Sequence, residues 1–194
     1  MADKPEHIRY EHIVSPYMTM RFALKAATDD IHRELDDRLS RLDLGRVEDY
    51  RRFLEFQART VPAVEGALAC AGLGDFVEGW TESHRGTAIR DDLETLGNPM
   101  PPPAQPPIIA GTAELLGTAY VLEGSRLGGR VLRRQVAEGL PASFLGDDGS
   151  LGPWPQLLAA IEQNIHSDAL LTEAKHAARR SFAWFLQVAH EGGI

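Results

Sequence analysis

The chain has one cysteine in 194 residues, so no intrachain disulfide can hold it together. That residue, Cys70, sits in the apolar run Ala67–Ala71 and is expected to be core packing rather than a reactive thiol. No run of 18 apolar residues exists, so no membrane span is expected. The first residues, MADKPEHIRYEH, lack the apolar core of a secretory signal. These two features point to a cytoplasmic protein. Positive charge is in deficit: 20 Lys+Arg face 28 Asp+Glu, a net charge of −8 that argues against general nucleic-acid binding. Alternating strand patterns are missing. So is a GxGxxG fingerprint behind a strand, which leaves the chain without a dinucleotide site of its own.

What is present fits one all-α domain. Hydrophobic residues make up 43% and charged residues 25%, an ordinary globular balance on a length that suits a single core. Residues 1–15 are polar and without helical periodicity; they read as a flexible arm with solvated His7 and His12, and residues 16–194 as the domain. About seven helices are predicted. The first starts near Ser15–Thr19 and runs to about Leu42, with Leu24, Ile31, Leu35 and Leu42 as its buried stripe. The second starts near Val47, with a kink or break expected at Pro62. A short segment follows over Gly74–Trp80. The next helix, 85–96, turns Ile89, Leu93 and Leu96 inward, and Arg90, Asp91 and Asp92 are expected to face water or pair locally. Six prolines in 97–107 forbid a helix and predict a stiff, extended connector. A glycine-bearing helix occupies 109–136. A loop over 139–153, a helix begun by Pro155 and a last helix capped by Ser167 or Asp168 complete the chain.

Two stretches carry the chemistry. The 109–136 helix holds Gly111, Gly117, Gly124, Gly128 and Gly129. Each interior glycine costs about 0.5–1 kcal/mol relative to alanine, so several in one helix need a reason. Gly117, Gly124 and Gly128 recur at seven and four residues and share a face. A face without side chains serves either a close helix crossing or a smooth groove for a flat ligand. In the first helix, Lys25, Thr28 and His32 run along one flank of the apolar stripe, and Asp36 lies just beyond. Lys25 precedes His32 by seven residues, roughly 10 Å along the axis. An imidazole with a cation at that distance suits a metalloporphyrin: the histidine binds iron and the lysine reaches a propionate.

Ala23-Leu24-Lys25 through Ala27-Thr28 to His32 resembles the proximal helix of heme oxygenases. Tyr120-Val121-Leu122-Glu123-Gly124-Ser125-Arg126-Leu127-Gly128-Gly129 resembles the distal helix of their bacterial, biliverdin-producing branch, and Ile89–Gly97 is similar to the segment between them. The resemblance covers roughly residues 19–190 and implies a heme oxygenase-like helical domain. It implies heme b as both substrate and cofactor, bound through His32. Gly124, Ser125 and Gly128 would form the catalytic distal wall, and bare backbone there directs oxygen chemistry to the porphyrin edge. Lys25, Thr28, Tyr120, Gly129, Lys175 and Arg179 are the remaining candidate heme contacts, with Lys25, Lys175 and Arg179 toward the propionates. Eukaryotic relatives have an aspartate where Ser125 stands, which leaves Ser125, Tyr120 and Arg126 as candidates for proton delivery.

The implied reaction consumes O2 and electrons from an external donor, such as a ferredoxin or another reductase system. It yields biliverdin, carbon monoxide and ferrous iron, and a phytochrome could receive the biliverdin. Arg126, Arg130, Arg133 and Arg134 could meet an acidic electron donor, or could be a solvated helix tail. Three other readings remain at this point. A non-catalytic heme carrier or sensor would share the fold. A di-iron protein would use Glu173-x-x-His176, with Asp29-x-x-His32 as a half match and Glu65 and Glu123 as the further glutamates. A helical thiamin-salvage-like hydrolase would need an active cysteine, for which Cys70 is poorly placed.

Overall fold

The computed structural model describes residues 16–146 and 152–194; the proposed N-terminal arm, with His7 and His12, lies outside them. Six α-helices form the described part: α1 (Pro16–Leu39), α2 (Val47–Cys70), α3 (Gly86–Thr95), α4 (Gly111–Arg133), α5 (Trp154–Asn164) and α6 (Asp168–Glu191). No strand occurs among the described residues. The count is one below the sequence expectation, because the short Gly74–Trp80 segment contributes only part of a 3-10 turn, Leu73–Asp75.

Helices α4 and α6 pack along each other, and α1 lies against α6. Leu24, Tyr50, Phe53, Leu54, Leu116, Leu122 and Leu157 are fully buried between the layers. Each such side chain contributes about 1.5–3 kcal/mol on leaving water. Ser167 caps α6 by accepting from the Leu170 amide at 3.3 Å. Arg179 of α6 grips α1, donating to Asp30 at 2.6 and 3.0 Å and to the Ala27 carbonyl at 2.6 Å.

The proline-rich connector is free of helix, as its composition predicts, and is strapped down by hydrogen bonds to its main chain. The Ala104 amide donates to the Arg59 carbonyl at 2.8 Å, and the Trp184 indole donates to the Gln105 carbonyl at 2.8 Å. Gly111, with φ of 79°, then turns the strap into α4, a conformation that a side chain would strain.

Several expectations are corrected. The first helix ends at Leu39, although Leu42 is buried beyond it. Helix α2 runs unbroken through Pro62, its tertiary packing outweighing the one lost hydrogen bond. Cys70 is exposed, because it is the last residue of α2 and lies two residues past the final buried Leu68, on another face. Asp92 does not face water: it is buried, and its carboxylate accepts the Ser143 and Phe144 amides at 3.0 and 2.9 Å. It thereby pins the turn after α4, Ser143–Leu145, against α3.

Candidate functional site

A cavity of about 650 Å³ opens between α1, α2, α4 and the start of α5. It lies in the range of pockets that enclose a small molecule or cofactor, roughly 300–1,000 Å³. From α1 come Arg21, Lys25, Thr28 and His32. From α4 come Tyr120, Gly124, Ser125, Gly128 and Gly129. Phe53, Phe56 and Val61 of α2, together with Phe182 and Phe185 of α6, supply apolar surface.

His32 is half exposed at 52% of its side chain, standing at the rim with the Phe182 ring edge-on at 5.2 Å. Its Nδ1 lies 3.3 Å from the Asp36 carboxylate, one turn on. That contact orients the imidazole and leaves Nε2 without a hydrogen-bond partner among the described residues. Desolvation raises the Asp36 pKa, with His32 opposing and Asp37 adding to the shift. Thr28 is buried, and its hydroxyl is engaged by the Leu24 carbonyl at 2.9 Å, so it gives the cavity bulk rather than a hydrogen bond.

The glycine face does not act as one unit. A Cβ on Gly117 would sit 2.3 Å from the Ala174 carbonyl oxygen, so this glycine serves the crossing of α4 with α6. It is not part of the groove, and here the close-crossing reading is the right one. A Cβ on Gly124 would meet the Trp154 ring at 3.6 Å, so an indole from α5 leans on that spot. A Cβ on Gly129 would touch Leu145 at 3.7 Å. At Gly128 it would meet nothing within 4 Å. The bare surface facing the cavity is therefore the Gly124–Gly128 turn, with Gly128 its open centre.

The candidate cations separate in the same way. Lys25 lines the cavity and is exposed, with Nζ 3.0 Å from Asp29. Lys175 and Arg179 do not line it, and Arg179 is committed to Asp30. Arg21, which sequence reasoning passed over, does line it, and its guanidinium stands 6.0 Å from the Trp154 ring centroid. The available signal was spacing: Arg21 is four residues before Lys25 and eleven before His32, on one helix face.

Of the three candidates for proton delivery, Arg126 is tied to Glu123 and donates to the Ser83 carbonyl at 2.6 Å. Ser125 donates to the Leu122 carbonyl at 2.6 Å and accepts from Arg85 at 3.2 Å. The Tyr120 ring lies tilted against Trp154 at 5.4 Å, and its hydroxyl has no partner among the described residues. Burial raises the Tyr120 pKa, with Arg21 opposing, so at neutral pH the phenol is a neutral donor. Among the described residues no cluster of three or more His, Cys, Asp or Glu could hold a metal ion. In particular, Glu173 and His176 are both exposed, which removes the support for a di-iron site.

Fold and cavity together define an all-α protein with a pocket between a histidine-bearing helix and a glycine-bared helix. No family model matches the chain. A curated relative, the heme oxygenase of Xanthomonas campestris pv. campestris (strain 8004), is 36% identical over 114 residues, which cover 55% of this chain and 68% of that protein. The NO- and CO-bound heme oxygenase from Neisseria meningitidis shares the fold, with a TM-score of 0.75 over 90% of this chain and 92% of that one, at 22% identity. The chain belongs to the heme oxygenase family. No helix among the described residues is long and apolar enough to cross a membrane.

Proposed function

We propose that the protein cleaves heme oxidatively to biliverdin, carbon monoxide and ferrous iron, using O2 and electrons from an external donor such as a ferredoxin or another reductase system. The observation that carries the reading is that His32 and the open Gly128 backbone bound one cavity, in a chain of this family. The residues present fit a porphyrin. The walls are aromatic and aliphatic, one ring nitrogen of His32 is uncommitted, and the α4 wall is bare where a flat macrocycle would lie.

His32 supplies the iron ligand, oriented through Nδ1 by Asp36. Arg21 and Lys25, rather than Lys175 or Arg179, bind the propionates, because both line the cavity on the histidine's own helix. Heme supplies the iron at which O2 is reduced and the carbon that is attacked. Gly124 and Gly128 keep bulk away from the distal side, so that the ligand's tilt is set by main chain. Tyr120 carries the hydroxyl that holds water there and moves protons, while the Ser125 hydroxyl is tied to the Leu122 carbonyl and Arg85 beside it.

The test is a hemin titration followed by turnover. A nitrogen-ligated Soret band should form. With reductant and oxygen the spectrum should then change to that of a verdin pigment. A carrier would keep its heme under the same treatment. His32→Ala should remain folded and lose turnover; wild-type rates in that variant would remove the ligand assignment.

A further inference from the structure

Behind the glycine wall lies a buried ion cluster that the reading above does not use. Arg85, just before α3, is buried, as are Glu65 of α2 and Glu123 of α4. The Arg85 amide donates to Glu65 at 2.9 Å. Its Nε lies 3.7 Å from the same oxygen and makes no hydrogen bond. Its two terminal nitrogens reach α4: Nη1 donates to the Ser125 hydroxyl and Nη2 to the Leu122 carbonyl, each at 3.2 Å. The guanidinium stands 5.6 Å from the Phe144 ring, and Arg85 itself lines the cavity. Glu123 is held in turn by the Trp80 indole at 3.0 Å and by Arg126.

Burying such charges costs several kcal/mol per ion before pairing, and well-packed apolar residues often serve stability as well or better. Packing alone therefore does not account for the cluster. Its geometry does. Every side-chain hydrogen bond that Arg85 makes lands on the turn Leu122–Ser125, which contains Gly124. Glycines loosen a helix, and this one is clamped at the turn that holds Gly124, one turn before the open Gly128. Burial, with Arg126 next in effect, lowers the Arg85 pKa to about 10, so it stays charged at neutral pH.

We propose that Arg85, held by Glu65, is a positioning residue for the distal wall. It fixes the Leu122–Ser125 turn of α4 and keeps a cation beside the bare Gly124–Gly128 backbone. It thereby controls both the direction in which a distal ligand tilts and the stabilisation of negative charge that develops there. The proposal rests on the heme reading above.

The experiment uses the full chain loaded with hemin, as wild type, Arg85→Met, Arg85→Lys and Glu65→Gln. Two properties are read: the pH midpoint of the acid–alkaline spectral transition of the ferric complex, and the isomer distribution of the product. Losing the cation in Arg85→Met should raise the midpoint by about one pH unit, the size of shift that a nearby charge commonly gives. Arg85→Lys keeps the charge and loses the fork, so its midpoint should stay near wild type while its isomers scatter. Glu65→Gln should scatter the isomers as well. A merely structural Arg85 would lower the melting temperature and move neither readout. Wild-type midpoints and isomers in Arg85→Met overturn the proposal. Should that variant fail to fold, unscattered isomers in both Arg85→Lys and Glu65→Gln do the same. A wild-type protein that shows no nitrogen-ligated hemin spectrum would instead sink the heme reading, and this proposal with it.

Discussion

The glycines of α4 make a graded prediction, because one substitution meets three different surroundings. At Gly117 a methyl group would lie 2.3 Å from the Ala174 oxygen and 3.0 Å from its carbonyl carbon and Cα. Ordinary contact starts near 3.4 Å, so α4 and α6 would have to part by about 1 Å. Overpacking of this kind costs about 1–3 kcal/mol. Alanine returns about 0.5–1 kcal/mol through helix propensity, leaving a net loss of up to about 2.5 kcal/mol. For a chain of this size that is a fall of up to about 10 °C in melting temperature. Gly128→Ala meets nothing, and Gly124→Ala meets the Trp154 ring at an ordinary 3.6 Å. Both should therefore melt about 1–4 °C above wild type in the heme-free protein. Function should run in the opposite order to stability for Gly128. Gly128→Ala should slow turnover or redistribute product isomers, and Gly128→Leu should do so more strongly. Thermal melts of the three alanine variants, paired with product analysis, make the check. A Gly117→Ala protein that melts as far above wild type as Gly128→Ala does would refute the crossing. A stabilised Gly128→Ala with unchanged rate and product would refute the claim that its bare backbone faces the ligand.

Two further outcomes follow from the framework around the site. Asp92→Ala should leave the Ser143 amide and the buried Phe144 amide without their acceptor and lower the unfolding free energy by about 1–3 kcal/mol in urea titrations; an unchanged urea midpoint would mean that the turn does not hang on Asp92. Its pairing with Arg179 lowers the Asp30 pKa to about 2. Its contribution to stability is thus complete above the unfolded pKa of about 3.9 and is lost as pH falls through about 2. The melting-temperature gap between wild type and Asp30→Asn should accordingly close over that window, and a gap independent of pH would exclude the pair as its source.

Local pattern was enough to reveal much of this protein. The 3.6-residue periodicity, the six prolines of 97–107 and the Ser167 cap marked the helices and their breaks. His32 with Lys25, and the run Tyr120–Gly129, marked the two walls of the cavity, because a helix's own geometry already places such residues on shared faces. What a helix face meets is not encoded locally. Gly117, Gly124 and Gly128 look alike in the sequence, yet one meets a carbonyl of α6, one an indole of α5 and one open space. Lys175 and Arg179 do not line the cavity, Arg179 being paired with Asp30 of α1, while Arg21 does line it. Asp92 reads in the sequence as a charge facing water, and only the packing of α2, α3 and α4 buries it, as it buries Arg85 and Glu65. Period and composition decided which helices form and which residues share a face. Tertiary contact decided which groups are left free to perform it, since burial and pairing depend on residues dozens of positions away.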